Sequence, residues 1–397
     1  MIRRIDLFMP PKGPYNFLRQ LTHGLAAGLQ RSGAVCRILE GDYYNPKAFL
    51  DRLFADPPDC TLSFNGLLPD EEGNFLCDMI KIPHVACLVD DPQHFIQLTH
   101  SPNTIITTTD RAICDFFEST HFDRALFMPL AVDRELILPP NQPQNRSIDL
   151  LMMSSFIDAP RIRQHWFDDF PESLATALDE AAEMVLSGQD VPYIQALAQT
   201  IDLAMKRDAS LDPHKYDFVL LLDELEGYIN GQARLEVASS IEGVTLHICG
   251  QNSEEWLRYK PKGADWVALP PVEYSEISSL FRRTKIVLNC VPALCYGVHE
   301  RIFLGMASGA VVLTNGNSYI HELLKVGEEI LVYPPKSPIE LNGLIQNVLQ
   351  DPARMQKMGQ RAIRTIAMNH TWDHRAAVLL NELAPVVASL QLAKGKS

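Results

Sequence analysis

Short apolar runs of strand type alternate with stretches of helical periodicity over the first third of the chain. Strands are predicted at "IDLFMP" (5–10), "VCRIL" (35–39), "CTLSF" (60–64), "HVACLV" (84–89), "NTIITTT" (103–109) and "ALFMPLAV" (125–132). Between the first two, residues 15–31 set Phe17, Leu18, Leu21, Leu25 and Leu29 on one helical face. This alternation implies a parallel sheet covered by helices. At 133–147 the chain turns polar and proline-rich, "DRELILPPNQPQNRS", which reads as a linker.

A second series opens with "IDLLMMSSF" (148–156) and is interrupted at 160–240 by a mostly helical pattern with breaks near Pro171, Gly188 and Pro213. Alternation then resumes: "VTLHICG" (244–250), "DWVALPP" (265–271), a helix from about 273, "KIVLNCV" (285–291), a helix-stop-strand unit at 299–314 and "EEILVYP" (328–334). Three helical segments close the chain, the last from about Thr371 to Leu392. The pattern predicts an α/β protein of two Rossmann-like, doubly wound domains. The second carries a helical insertion.

Composition narrows the class. The 397 residues exceed one typical core, and 46% hydrophobic with 21% charged residues is a globular profile. The apolar runs are shorter than a membrane span, and the start, "MIRRIDLFMPPKG", lacks the long apolar region of a signal peptide. Eight cysteines without a CxxC pair fit buried thiols in a cytoplasm better than disulfides or zinc. A net charge of −14 with no basic block argues against nucleic acid as a partner. It leaves room for a small phosphorylated ligand, which backbone amides and one or two cations can hold.

The candidate chemistry begins at "HERIFLGMASGAVVLT" (299–314). Ile302, Phe303, Met306 and Ala307 fall on one helical face, Gly309 suits the left-handed stop, and the strand follows. Ligands of open α/β sheets bind beyond the carboxyl ends of strands, at helix N-termini. His299, Glu300 and Arg301 would stand at that entrance, with Arg301 as a positive fork suited to phosphate. A simpler role is also open: a glutamate complementing the helix dipole, with solvated His and Arg. Gly250 in "HICGQN" (247–252) permits close backbone approach, and Asn289 and Tyr296 frame the loop "VPALCYG" (291–297). Each of these could equally be structural, and Tyr333 is a looser candidate.

The run "DWVALPPVEYSEISSLFRRTKIVLNCVP…HERIFLGMASGAVVLTNGNSYIHELLKVGEEILVYPP" resembles the nucleotide-binding half of GT-B glycosyltransferases. Within them it is most similar to the CgeB/YkvP-like, spore-maturation-type group. "MPLAVD" (128–133), "LVDDPQHF" (88–95) and "HTWDHRAAVLL" (370–380) resemble the end of the first domain, the DDP segment and the closing His/Arg motif of that group. The resemblance implies two domains, 1–142 on the acceptor side and 143–370 for the nucleotide sugar, facing across a cleft. A helix at 371–397 would pack back on the first, fastened by Trp372 and Arg375. It also implies a nucleotide diphosphate sugar as donor (UDP-sugar or similar), an acceptor of unknown type, and no cofactor or metal. His370 and His374 have the spacing of a metal pair, but no third ligand is evident.

By this resemblance the amides near Gly297–Glu300, with His299 and Arg301, would neutralise the leaving diphosphate. Asp90 is the candidate base, with His94 as competitor, while Asp91 before Pro92 suits an N-cap. Lys12, Gly13 and His23 are weaker candidates, and "PPKGPYN" (10–16) is no dinucleotide fingerprint. One departure stands out: the glutamate often found five residues before the glycine of "MASG" is Leu304 here. Glu300 or Glu322 would have to replace it. Two rivals follow: an inactive GT-B-like binding or scaffold protein, and a sugar-nucleotide epimerase.

Overall fold

The computed structural model describes residues 2–41, 46–139, 142, 144–188 and 190–394. The chain divides into two compact units, Met1–Glu135 with Ala367–Ser397, and Leu136–Ile366. In the first, strands β1 (Arg4–Met9), β2 (Val35–Glu40), β3 (Cys60–Phe64), β4 (His84–Cys87), β5 (Thr104–Thr108) and β6 (Ala125–Phe127) form a parallel sheet ordered β2-β1-β3-β4-β5-β6. Helices α1 (Phe17–Arg31), α2 (Pro46–Ala55), α3 (Leu76–Ile80) and α4 (Arg111–Ser119) connect the strands. Leu21, Leu25 and Leu29 of α1 are buried, as their spacing predicts. The helix starts only at Phe17, because Tyr15 and Asn16 have φ of 58° and 51°.

In the second unit, β7 (Ile148–Met153), β8 (Leu246–Cys249), β9 (Trp266–Leu269), β10 (Thr284–Asn289), β11 (Val311–Asn315) and β12 (Leu331–Tyr333) form a parallel sheet ordered β12-β11-β10-β7-β8-β9. Four helices stand between β7 and β8 where one suffices: α5 (Ala159–Asp169), α6 (Glu172–Leu186), α7 (Tyr193–Arg207) and α8 (Phe218–Ser239). Then come α9 (Tyr274–Arg282), α10 (Glu300–Ala307), α11 (Ser318–Leu323), α12 (Pro338–Leu349) and α13 (Pro352–Asn369). Apolar residues from all six strands meet α8, α12 and α13 in the core, among them Leu150, Ile248, Trp266, Ile286, Leu313, Leu331, Ile345 and Met358.

The last helix, α14 (Trp372–Lys394), belongs to the first unit and lies along α1. Trp372, 2% exposed, contacts α1 where Gly24 and Gly28 leave room. A Cβ at Gly28 would stand 2.5 Å from the Trp372 carbonyl oxygen. Arg375 Nε donates to the Pro129 carbonyl at 2.9 Å, and the Val132 and Trp372 amides tie the two segments together.

Two sequence expectations need correction. The run 125–132 is a strand only to Phe127; Pro129 has no N–H for a ladder, and Val132 instead bridges Thr371. The expected linker at 133–147 is docked on its second half. Leu138 N–H donates to Ala307 O, and half-buried Arg146 donates to the carbonyls of Phe281, Thr284 and Ser308. Burial brings the Arg146 pKa down to about 10. Residues 140, 141 and 143 of that expected linker lie outside the described residues.

Candidate functional site

In the second unit the chain builds β7, β8 and β9 in one direction, then returns to add β10, β11 and β12 on the other side of β7. The switch point lies between β7 and β10, and a doubly wound sheet has its ligand crevice beyond those carboxyl ends. Met153 ends β7, Asn289 ends β10, and α10 begins with His299 as its N-cap.

Arg301 reaches back across the switch point. Its Nη1 donates to the Met153 carbonyl at 2.5 Å and its Nη2 lies 3.0 Å from His299 Nε2. His299 Nδ1 lies 2.6 Å from Glu300 Oε2 and 3.2 Å from the Arg301 amide. One ring nitrogen cannot both donate and accept. The shorter, charge-assisted contact decides for Nδ1–H donating to Glu300, which leaves Nε2 to accept from Arg301. The imidazole is then neutral, in line with its pKa, lowered by burial and by Arg301. Burial opposes the Glu300 charge, yet His299 and Arg301 outweigh it and hold the carboxyl below its usual range. Burial brings Arg301 down to about 10.

The three side chains therefore form a half-buried chain of carboxylate, imidazole and guanidinium, and His299 and Arg301 are not the solvated pair of the simpler alternative. Their side chains are only 12%, 20% and 21% exposed. Two of the five Arg301 N–H groups are engaged by Met153 and His299, so donors remain. Arg234 of α8, absent from the sequence-based candidates, is buried with Nε on the Cys290 carbonyl at 3.0 Å. Its charge reaches both His299 and Arg301. Glu226 of the same helix acts on Arg234, and Glu300 on Arg301, so the two guanidiniums stand side by side near the carboxyl ends of β7 and β10, each with a carboxylate acting on it.

The loop 291–297 is held by two asparagines that the sequence reading also missed. Asn317 Nδ2 donates to Leu294 O at 3.1 Å and Gly297 O at 3.0 Å, while its Oδ1 caps α11 at Ile320 N. Asn315 Oδ1 accepts from Val291 N at 2.9 Å. Tyr296 and Glu322, both candidates, hydrogen-bond to each other, and the Tyr296 ring lies 5.3 Å from that of Tyr319. Asn289 donates to Thr314, but its buried Oδ1 has no hydrogen-bond partner. Tyr333 donates to Asn289 O at 3.2 Å. At Gly250 a Cβ would stand 2.3 Å from Ser154 O, so that glycine serves the approach of β7 to β8. Leu304 is 1% exposed within α10.

In the first unit, Asp90 lies exposed past the carboxyl end of β4 and accepts from Asn65 Nδ2 at 2.6 Å. Asn65, with φ of 59°, also accepts from the amides of Val89 and Asp90. Asp91 occupies the N-cap position of the 3₁₀ segment Pro92–His100, but its side chain accepts no bond from the helix amides, contrary to the capping expectation. His94 is exposed on that segment, as are Lys12 and His23 elsewhere. His370 Nδ1 lies 3.1 Å from Arg375 Nη2 and His374 Nδ1 2.8 Å from Thr371 Oγ1, so the two histidines serve different partners.

Residues 232–381, from the second half of α8 through α10 into α14, match the family described as "Glycosyl transferase-like". No curated protein sequence matches the chain. Sucrose-phosphate synthase (tll1590) from Thermosynechococcus elongatus is 11% identical over 98% of this chain and 100% of its own, with a TM-score of 0.53. Anabaena Alr3699/HepE in complex with UDP and glucose is 11% identical over 97% and 100%, with a TM-score of 0.53. AviGT4, a glycosyltransferase involved in avilamycin A biosynthesis, is 14% identical over 97% and 98%, with a TM-score of 0.52. The chain spans 55% of the length of S. aureus TarM, at a TM-score of 0.44. The likenesses to the sucrose-phosphate synthase and to AviGT4 establish the fold as GT-B, with two Rossmann-like domains. Among the described residues no helix is long and apolar enough to cross a membrane.

Proposed function

We propose that this protein is a glycosyltransferase of the CgeB/YkvP-like group, which moves a hexose from a nucleotide diphosphate donor to an acceptor hydroxyl without a catalytic metal. The observation that carries the reading is the Arg301 guanidinium at the β7/β10 switch point, oriented by Met153 and His299, with N–H donors left over and Arg234 close enough to act on it. A departing diphosphate builds negative charge, and fixed donors there lower the barrier. The HepE structure in complex with UDP and glucose favours a UDP-sugar as donor. Arg301 would meet the diphosphate, its fork oriented by Met153 and His299, and the loop clamped by Asn317 would border the sugar. Gly250, Asn289, Tyr296, Gly297 and Glu322 would line the same pocket.

In the acceptor unit Asp90 would take the hydroxyl proton while that oxygen attacks the anomeric carbon and the bond to the diphosphate breaks. His94 is the alternative base. Asn65 would orient the Asp90 carboxylate. The eight cysteines are all thiols in the structure, which suits a cytoplasmic location.

The test is a thermal-shift panel with UDP, GDP, dTDP, ADP and CMP, with and without magnesium, followed by transfer from the matching nucleotide sugar. A diphosphate at a hundred times its Kd adds about 2.7 kcal/mol to native stability. Arg301→Met should weaken that binding by about tenfold or more, the scale of one charge-assisted bond. Asp90→Asn should keep binding and lose transfer. No response to any nucleotide would overturn the reading. The second reading, a binding protein without transferase activity, would then be favoured. One observation supports that alternative: buried, apolar Leu304 at the position where related enzymes often carry a glutamate.

A further inference from the structure

The helical insertion carries a groove of its own. It has a volume of about 460 Å³ and is lined by Pro160, Arg163, Gln164, Phe167 and Asp168 of α5 and by Tyr228 and Gln232 of α8. The α5 positions recur at helical spacing, so they form one face of that helix, and Tyr228 and Gln232 are one turn apart on the facing helix.

The lining chemistry is specific. Phe167 leaves 43% of its surface in water, yet it is not loose: Arg163 sits over the ring, 5.0 Å from its centroid. Arg163 is itself fixed by a two-bond pair to Asp179, at 2.7 and 2.9 Å. The Tyr228 ring is held edge-on by buried Trp166, with centroids 4.8 Å apart, and Trp166 is anchored by its Nε1–H to Glu224 at 2.8 Å. The groove thus offers one preset aromatic platform. Around it stand two neutral amides, Gln164 and Gln232; Gln232 spends one N–H on Glu236 at 2.8 Å and keeps its carbonyl oxygen and second N–H. Asp168 adds acceptors and has no ion-pair partner among the described residues.

We propose that this groove binds a neutral pyranose, as one unit of an oligosaccharide. A pyranose presents polarised C–H groups on one face, which suit the negative face of an aromatic ring, and adjacent hydroxyls at its rim, which suit amides and a carboxylate. The alternatives fit less well. The Arg163 charge is cancelled by Asp179, so Asp168 leaves the lining negative and repels a phosphorylated ligand. Apart from Pro160 the lining has no aliphatic side chain, so an acyl chain or an amphipathic helix finds no apolar bed. The volume lies within the range of small-ligand sites. The nucleotide reading is not needed for this site, since α5 and α8 alone supply it.

The full-length chain should be examined by saturation-transfer NMR with maltose, cellobiose, lactose and N,N′-diacetylchitobiose, each alone and then with UDP added. At least one sugar should receive saturation on its ring protons and keep it when UDP is present. Phe167→Ala, an exposed position, should fold and weaken that sugar by about tenfold. Phe167→Trp should restore binding. No transfer to any of the four sugars, transfer unchanged by Phe167→Ala, or displacement by UDP would overturn the proposal. Sugar binding in a protein that ignores every nucleotide would leave this site standing and remove the transferase reading.

Discussion

Acidification should destabilise the first unit through two buried histidines, by an amount that can be worked out. His84 is 2% exposed on β4, with Nδ1 2.8 Å from Thr61 Oγ1 and Nε2 3.0 Å from Ser63 Oγ. Both hydroxyls adapt to a neutral ring, and burial lowers the His84 pKa to about 3. His370, 4% exposed, falls to about 3 through burial and then Arg375. In the unfolded chain a histidine titrates near 6.5. The folded value lies below the unfolded one, so the contribution is complete above about pH 6.5 and is lost as pH falls toward about 3. At pH 5 each histidine should have removed about 2 kcal/mol, and the pair about 4 kcal/mol, a large part of a typical domain stability. Hydrogen exchange of peptides covering β3 and β4 at pH 7 and pH 5, corrected for intrinsic rates, reads the opening free energy of this unit. His84→Gln should start lower at pH 7, yet lose about 2 kcal/mol less on acidification than the wild type. Carboxylates titrate alike in both proteins and cancel in the comparison. An equal loss in the two would refute the assignment of the acid sensitivity to His84.

Gly28→Ala tests the seat of α14. Helix propensity alone would make it stabilising, but the new Cβ would meet Trp372 backbone at 2.5 Å, so the melting temperature should fall with a cost of about 1–3 kcal/mol, and a rise would show that α14 can move aside freely. Asn317→Ala removes two bonds to the 291–297 loop and one α11 cap; exchange at that loop should accelerate and UDP should bind more weakly, whereas an unchanged loop would deny Asn317 its clamping role. In both cases circular dichroism should show the helices intact at room temperature.

Much of the architecture was readable because strands buried on both faces are written as continuous apolar runs. "CTLSF" became β3 with all five residues buried, and "KIVLN" lies within β10. The Leu21, Leu25 and Leu29 stripe and the Gly309 stop were readable for the same reason: they are local, and helical spacing or a positive φ (67° at Gly309) leaves a mark in a short window. The strand ends were less legible. β6 and β7 stop earlier than their apolar runs, since a ladder ends where the neighbouring strand does.

The candidate site divides along the same line. The sequence by itself determined that His299, Glu300 and Arg301 open a helix after a buried strand, because chain neighbours stay together in any fold. Only the tertiary structure decided what they do. Arg301 meets Met153, Arg234 arrives from a helix of the insertion to hold Cys290, and Asn317 clamps a loop some twenty residues before it. These partners are set by which strands lie side by side in the sheet. The order in which β10 returns to the other side of β7 is a global packing outcome, and no local pattern of apolar and polar residues encodes it.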